Sequence, residues 1–184
     1  MLERPDEVVR PEMVYLARRR SSYRDVLDAL RDAGLPPFRL TEINETALLA
    51  WEQQWLPDLG KVEGEWRAWN WREQMRHWRR RHVDRFEVAI WSDEELCGLA
   101  VGKPSDRRNN LSIYLLQASP RPDRALKGFV LPIAVETAAA YGTRCRCREL
   151  RLVNPLEGVV QRYLDLGFTL EVGTSAAPYC VRPI

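Results

Sequence analysis

A chain of 184 residues, 45% hydrophobic and 29% charged, has room for one domain with a full core and too little for two. No run of about 18 apolar residues occurs, which excludes a membrane-spanning helix. The opening MLERPDEVVRPEM is charged where a secretion signal needs an apolar stretch, so the expected location is the cytoplasm, and a net charge of +2 singles out no partner.

Val14, Leu16 and Ala17, then Tyr23, Val26, Leu27 and Leu30, recur at helical spacing and predict a helical leading segment. Asp32-Ala33-Gly34-Leu35-Pro36-Pro37 ends it with a glycine stop and a proline pair. This extension, residues 1–36, is either a cap packed on the remainder or an arm for a homodimer; a single domain is expected over 37–184. Alternation from Phe38 to Ile43 predicts a first strand. Asn44 then caps a helix through Trp55, because its side chain accepts a free backbone N–H. Pro57 and Gly60 break the chain, and a second helix is expected from about Glu63 to Arg81. Trp71, Met75 and Trp78 form its apolar stripe at i, i+4 and i+7.

From Arg85 the period changes to two. A hairpin is predicted, with strand Phe86 to Trp91, a turn at Ser92-Asp93-Glu94 and strand Leu96 to Gly102. A third strand runs from Leu111 to about Ala118, and Pro120 and Pro122 lie in the turn that follows. A helix from near Leu126 to Tyr141 is closed by Gly142. Strand Leu150 to Val153, a helix ending near Leu166 and two short strands complete an α/β chain with a mixed sheet.

Glu149 to Phe168, ELRLVNPLEGVVQRYLDLGF, joins an apolar strand, an Asn-Pro break, a helix carrying Tyr163 and a Gly-Phe exit. This segment resembles the end of the GNAT fold, that of the Gcn5-related N-acetyltransferases, and the element order matches that fold over residues 38–184. The resemblance implies a GNAT-like acyl-CoA N-acyltransferase fold with an N-terminal helical extension. It implies acetyl-CoA (coenzyme A) as co-substrate, no metal, and an amine of a small molecule or protein as acceptor, attacking the thioester directly. Tyr163 is then the general acid that protonates the departing thiolate. Asn154 contacts the pantetheine arm, and backbone N–H groups near Leu116 and Gln117 polarise the thioester carbonyl.

In that family a loop before a helix N-terminus holds the pyrophosphate with the pattern Arg/Gln-x-x-Gly-x-Gly/Ala. The best register here places Ala125, Gly128 and Val130 on the pattern positions, so only the central glycine matches. Val130 adds bulk where a small residue is expected. The helix N-terminus remains, and Arg121, Arg124 and Lys127 bring positive charge to the turn through Gly128, Phe129 and Val130. The departure leaves open a catalytically reduced, GNAT-shaped binding or regulatory protein.

The acceptor side is less legible. Glu73 and His77, four apart, share a helix face and are read either as lining an acceptor cleft or as plain solvated chemistry. Tyr114 and Glu87 on the central strands, and His82, are further candidates for handling the amine proton. Trp66 and Trp69 belong either to the core or to aromatic walls of the acceptor pocket. Arg72, Arg76, Arg79, Arg80, Arg81 and Arg85 form either a solvated helix face or a surface for RNA, which would make RNA or aminoacyl-tRNA the acceptor. Cys145 and Cys147 have no second Cys/His pair at zinc-ligand spacing, so the four cysteines are expected as reduced structural thiols.

Overall fold

Seven strands make one mixed sheet in the computed structural model of the protein, which describes residues 10–59, 69–173 and 177–184. They are β1 (Arg39–Thr41), β2 (Phe86–Ser92), β3 (Glu95–Pro104), β4 (Asn110–Ala118), β5 (Glu149–Val153), β6 (Thr169–Glu171) and β7 (Tyr179–Pro183). Their spatial order is β1-β2-β3-β4-β5-β7-β6. Only β4 and β5 pair in parallel. A parallel pair needs a crossover, and the helix α5 (Val130–Arg144) supplies it.

Helices cover both faces of the sheet. On one face α1 (Pro11–Ala29) packs along α5, and Tyr23, Val26, Ile133 and Ala134 close over Phe86, Val88, Leu111, Ile113 and Leu152. On the other lie α2 (Glu45–Ala50), a π-helical turn (Trp51–Trp55), α3 (Leu56–Leu59) and α4 (Trp71–Arg81). There Trp51, Trp55, Trp71 and Met75 bury against Ala89, Leu96, Leu99 and Val101. Each tryptophan removes roughly 150–250 Å2 from water, so the indoles dominate this second core. The stripe expected on α4 is thus a packing stripe, with Trp71 and Met75 fully buried.

Several boundaries differ from the sequence reading for local reasons. Pro57 does not break the second helical segment; it lies inside α3, just past a π turn in which the Leu56 N–H bonds the Trp51 carbonyl. Such a widened turn accommodates a residue with no N–H. Asn44 caps α2 as expected, accepting from the Ala47 N–H at 3.0 Å. The helix expected from Leu126 begins at Val130, because Gly128 adopts φ +87° and breaks the helical path. Gly142 does not close that helix. It lies within α5, where a Cβ would collide with Ile184, and the helix ends at Arg144 before Arg146 turns left-handed at φ +64°. The last helix, α6 (Val160–Leu164), has only five residues and follows a 3-10 turn (Glu157–Val159). The expected start of the second helix at Glu63, and Trp66, lie outside the described residues.

Polar contacts tie α1 to the sheet. The Tyr23 hydroxyl donates to the Glu87 carbonyl at 2.5 Å, and Arg19 donates to the Arg85 carbonyl at 3.0 Å. The Glu87 carboxylate is buried between Arg85 at 3.1 Å and Arg19 at 3.8 Å. Glu87 therefore serves the α1 junction, on a strand separated from β4 by β3, and is removed from the set of proton acceptors. Among the described residues no helix is long and apolar enough to cross a membrane.

One irregularity in the sheet shapes everything downstream. Val101 lies opposite Leu115 but Gly102 lies opposite Ile113, which makes Tyr114 the extra residue of a β-bulge in β4. Gly102 is needed there, because a Cβ would run into the backbone carbonyl of Ser112. Replacing Gly102 with alanine should therefore cost about 1–3 kcal/mol, read as a lowered Tm in a thermal melt, whereas a surface control such as Gly158→Ala, with open space around it, should shift Tm little.

Candidate active site

The bulge splits the sheet. The β4–β5 ladder runs from Asn110 opposite Glu149 to Ile113 opposite Leu152 and stops, while β4 stays paired with β3 as far as Ala118. Residues 114–118 thus turn one backbone edge toward a gap at the carboxyl ends of two parallel strands, the usual ligand crevice of such sheets. Which groups face the gap follows from alternation. The Ser119 N–H donates to the Cys97 carbonyl at 2.8 Å, so Gln117 and Leu115 turn their backbone groups onto β3, and Leu116 turns its own away.

Gln117 therefore does not fit the expected backbone role beside Leu116. Its N–H is directed to Leu99 across the ladder, and its buried side chain accepts from the Trp71 indole N–H at 2.6 Å. The bulge also sets the side-chain faces: Tyr114 and Leu115 both point toward α4, whereas Ile113 and Leu116 pack on the α5 side.

Beyond β5 the chain reverses at Asn154, which sits at φ +53°, a left-handed conformation that asparagine tolerates, with its N–H donated to the Pro178 carbonyl at 2.8 Å. Its side chain is exposed at the mouth of the gap. Tyr163 follows on α6, half-buried, with its ring 6.5 Å from Phe168 and its carbonyl accepting from the Leu166 and Phe168 N–H groups. The hydroxyl has no hydrogen-bond partner among the described residues. Burial pushes the phenol up to about 12, with Cys180 adding to the rise and Arg162 opposing it.

The loop between β4 and α5 carries the donors. Pro132 has no N–H and the Ile133 N–H is taken by the Phe129 carbonyl, so Val130 and Leu131 are the helix donors left facing outward. No side chain caps this end and no acid stands in the first turn. Val130 does not crowd the loop as its bulk suggested. Its side chain is buried, turned into the space left by Gly98, where a Cβ would collide with it. Gly128 has open space around it, and Lys127 and Phe129 are exposed beside it. Arg124 donates to the Arg121 carbonyl at 2.8 Å and keeps a buried Nε without a partner. Burial lowers its pKa; Cys97 offsets the fall, and Arg162 of α6 adds to it.

Along α4 the structure forms two aromatic pairs, Trp69 with Trp71 and Tyr114 with Trp78. Trp69 is half-buried, edge-on to Trp71 at 6.2 Å, and Tyr114, 41% exposed, lies against Trp78 at 5.5 Å. His82 packs on the other side of this group, 4.9 Å from Trp78, its pKa lowered by burial and then by Lys103. Glu73 and His77 are exposed on the surface of α4 away from its buried stripe, so the structure does not join them to the aromatic group. No group of three or more His, Cys, Asp or Glu able to hold a metal occurs among the described residues. All four cysteines are buried free thiols, and burial raises the pKa of each.

The fold has clear relatives. RimJ from Mycobacterium smegmatis, solved with CoA-disulfide, matches at TM-score 0.58 and 14% identity, covering 81% of this chain and 82% of that one. The Salmonella typhimurium acetyltransferase that modifies the N-terminal serine of ribosomal protein L7/L12 matches at 0.56 and 12%, covering 80% and 95%. PaiA N-acetyltransferase from Thermoplasma acidophilum, in complex with coenzyme A, matches at 0.50 and 14%, covering 80% and 99%. No protein-family model matches the sequence. No curated protein matches it either. The chain has the fold of the GNAT N-acetyltransferases, and at these identities the likeness is one of fold.

Sequence reasoning missed the partners that set this geometry. The glycines of Gly98-Leu99-Ala100-Val101-Gly102 were the available signal, since a glycine inside a strand marks a bulge or a close approach. Trp71 and Gln117 carried none. Trp71→Phe removes the indole donor to the buried Gln117 carbonyl oxygen and should cost about 1–3 kcal/mol. Denaturant unfolding measures this, with Trp69→Phe as the control that should cost less.

Proposed function

We propose that the protein is an acetyl-CoA-dependent N-acetyltransferase acting on a primary amine of a small molecule or protein. One observation carries this: outward donors at the start of α5 lie at the head of a β4 edge that the bulge has freed from β5. Val130, Leu131 and the open turn at Gly128 suit the pyrophosphate, with Arg124 and Lys127 supplying charge. The Leu116 backbone edge suits the amide-bearing pantetheine arm and the thioester carbonyl, and Asn154 stands at the same mouth.

The reaction needs few groups. A neutral amine attacks the thioester carbon, the carbonyl oxygen takes negative charge, and a backbone N–H such as that of Leu116 stabilises it. Collapse breaks the C–S bond, and Tyr163 donates its proton to the departing thiolate. A phenol raised to about 12 stays protonated across the physiological range, as an acid must. The amine nitrogen gives up a proton as the amide forms, and His82, its pKa lowered by burial and then by Lys103, stands beside Trp78 as a group able to accept it. The alternative, a binding protein of the same shape without turnover, is favoured by the surface position of Glu73 and His77 and the burial of Glu87 in ion pairs.

Calorimetric titration with acetyl-CoA followed by turnover on an amine panel separates the two. We expect binding for the wild type and for Tyr163→Phe, with turnover reduced by about 10²–10⁴-fold in the variant. Absence of binding at millimolar cofactor overturns the proposal, and binding without turnover on any amine selects the alternative. The pH profile adds a check. Because the Tyr163 pKa is raised, loss of its acid form should not depress the rate between pH 9 and about 11, where an ordinary tyrosine begins to ionise.

A further inference from the structure

Strand register sets three side chains in a row on the α4 side of the sheet. Lys103 of β3 pairs with Ser112 of β4, and Ser112 pairs with Arg151 of β5. Directly opposed residues share a face, and Leu111 and Ile113 occupy the α5 side, so all three project the other way. Two half-buried cations thus flank a small buried serine, their Cα atoms about 10 Å apart across two strand spacings. The Arg151 guanidinium lies over the Tyr179 ring at 4.7 Å and donates to Glu149 at 2.9 Å, which leaves its Nη1 without an acceptor among the described residues. Lys103 has no acceptor among them either. Glu87, on the strand beside β3, is already paired with Arg85 and Arg19. Because β3 and β5 are interior strands, protection of a sheet edge does not account for these charges. An unpaired ammonium beside a guanidinium gains nothing from folding.

We infer that Lys103 and Arg151 hold a carboxylate of the acceptor, so that the substrate is an amine with a remote carboxylate, such as an ω-amino acid or a short peptide. The position of the amine in it rests on acyl transfer at the gap. Charge selects the carboxylate. Glu149 offsets Arg151, and His82, its pKa lowered by burial and then by Lys103, adds no charge at neutral pH. The row therefore carries one net positive charge, on Lys103, which matches a carboxylate and leaves a phosphate dianion or a polyanion uncompensated. Geometry sets the spacing. Ser112 and Leu116 stand four residues apart with Tyr114 inserted as the bulge, so about three strand steps, or 10 Å, separate the cations from the thioester edge. An α-amino acid is too short for this path, which runs past the 41% exposed Tyr114. A dipeptide, at about 3.5 Å per residue, spans most of it, and the long Lys103 and Arg151 side chains supply the rest.

The measurement is calorimetric titration of the full chain, loaded with coenzyme A, with 6-aminohexanoate, hexylamine, glycine and 6-aminohexyl phosphate. Hexylamine differs from 6-aminohexanoate by a methyl group in place of the carboxylate. We expect 6-aminohexanoate to bind at least about tenfold more tightly than each of the others. Lys103→Met should lose about tenfold for 6-aminohexanoate and leave hexylamine within about twofold, while Lys103→Arg restores most of the loss. Arg151→Gln should act in the same direction, and thermal melts of each variant separate binding from folding. With acetyl-CoA, Lys103→Met should raise KM for 6-aminohexanoate with kcat unchanged. Failure of 6-aminohexanoate to bind, equal loss on both amines in Lys103→Met, or tighter binding of the phosphate overturns the inference. Carboxylate-selective binding with no amide formed on any amine overturns acyl transfer and leaves the carboxylate site standing. Equal acetylation of 6-aminohexanoate and hexylamine does the reverse.

Discussion

Everything that distinguishes this domain follows from the place where β4 leaves β5. Parallel strands hold one another through a single ladder, and here that ladder ends at Ile113 and Leu152 because Tyr114 is inserted into β4. The extra residue reverses the side-chain parity of the rest of the strand and releases one edge of its backbone. Gly102 permits this by giving the displaced Ser112 carbonyl room on the neighbouring strand. A gap lined by unpaired backbone is costly unless something polar enters it. That cost is the physical link between the sheet irregularity and the polar ligand proposed for the gap.

The loop above the gap shows how a departure from an expected pattern is absorbed. A valine at the start of α5 would crowd a phosphate if it pointed outward. It points inward, into the volume vacated by Gly98, and the outer side of the loop stays open around Gly128. The requirement for smallness thus falls on Gly98 of the strand beneath the loop. The α1 junction is a second such displacement, with Glu87 neutralised by Arg19 and Arg85 so that a charged residue can occupy a central strand. A buried carboxylate on β2 is thereby structural, however much its residue type invites a catalytic reading.

Legibility was uneven for identifiable reasons. The strands from Phe86 to Ala118 were readable because alternation is a local property, and Asn44 was readable because a cap needs only its own side chain. The Glu149–Phe168 segment was readable because strand, reversal and helix occur in immediate succession. Pro57 misled because a proline is tolerated in the first turn of a helix and beside a widened π turn, and that turn is set by where Trp51 and Trp55 must bury. Gln117 misled because strand position does not say which neighbour receives its N–H; the register with β3 does. Glu73 and His77 share a face of α4 as the spacing said, but spacing alone did not say that Trp71, Met75 and Trp78 would turn that face to water.

By itself the sequence determined the kinds of elements, their order, the apolar stripe of α4 and the positions of Tyr163 and Gly128, since each depends on residues close together in the chain. The tertiary structure alone decided where the sheet splits, which backbone donors face the gap, that Val130 serves the core, and that Arg72 of α4 pairs with Glu45 and Glu52. Those outcomes rest on register and packing between segments tens of residues apart. Gly98 acquires meaning only beside Val130, and Gly102 only beside Ser112.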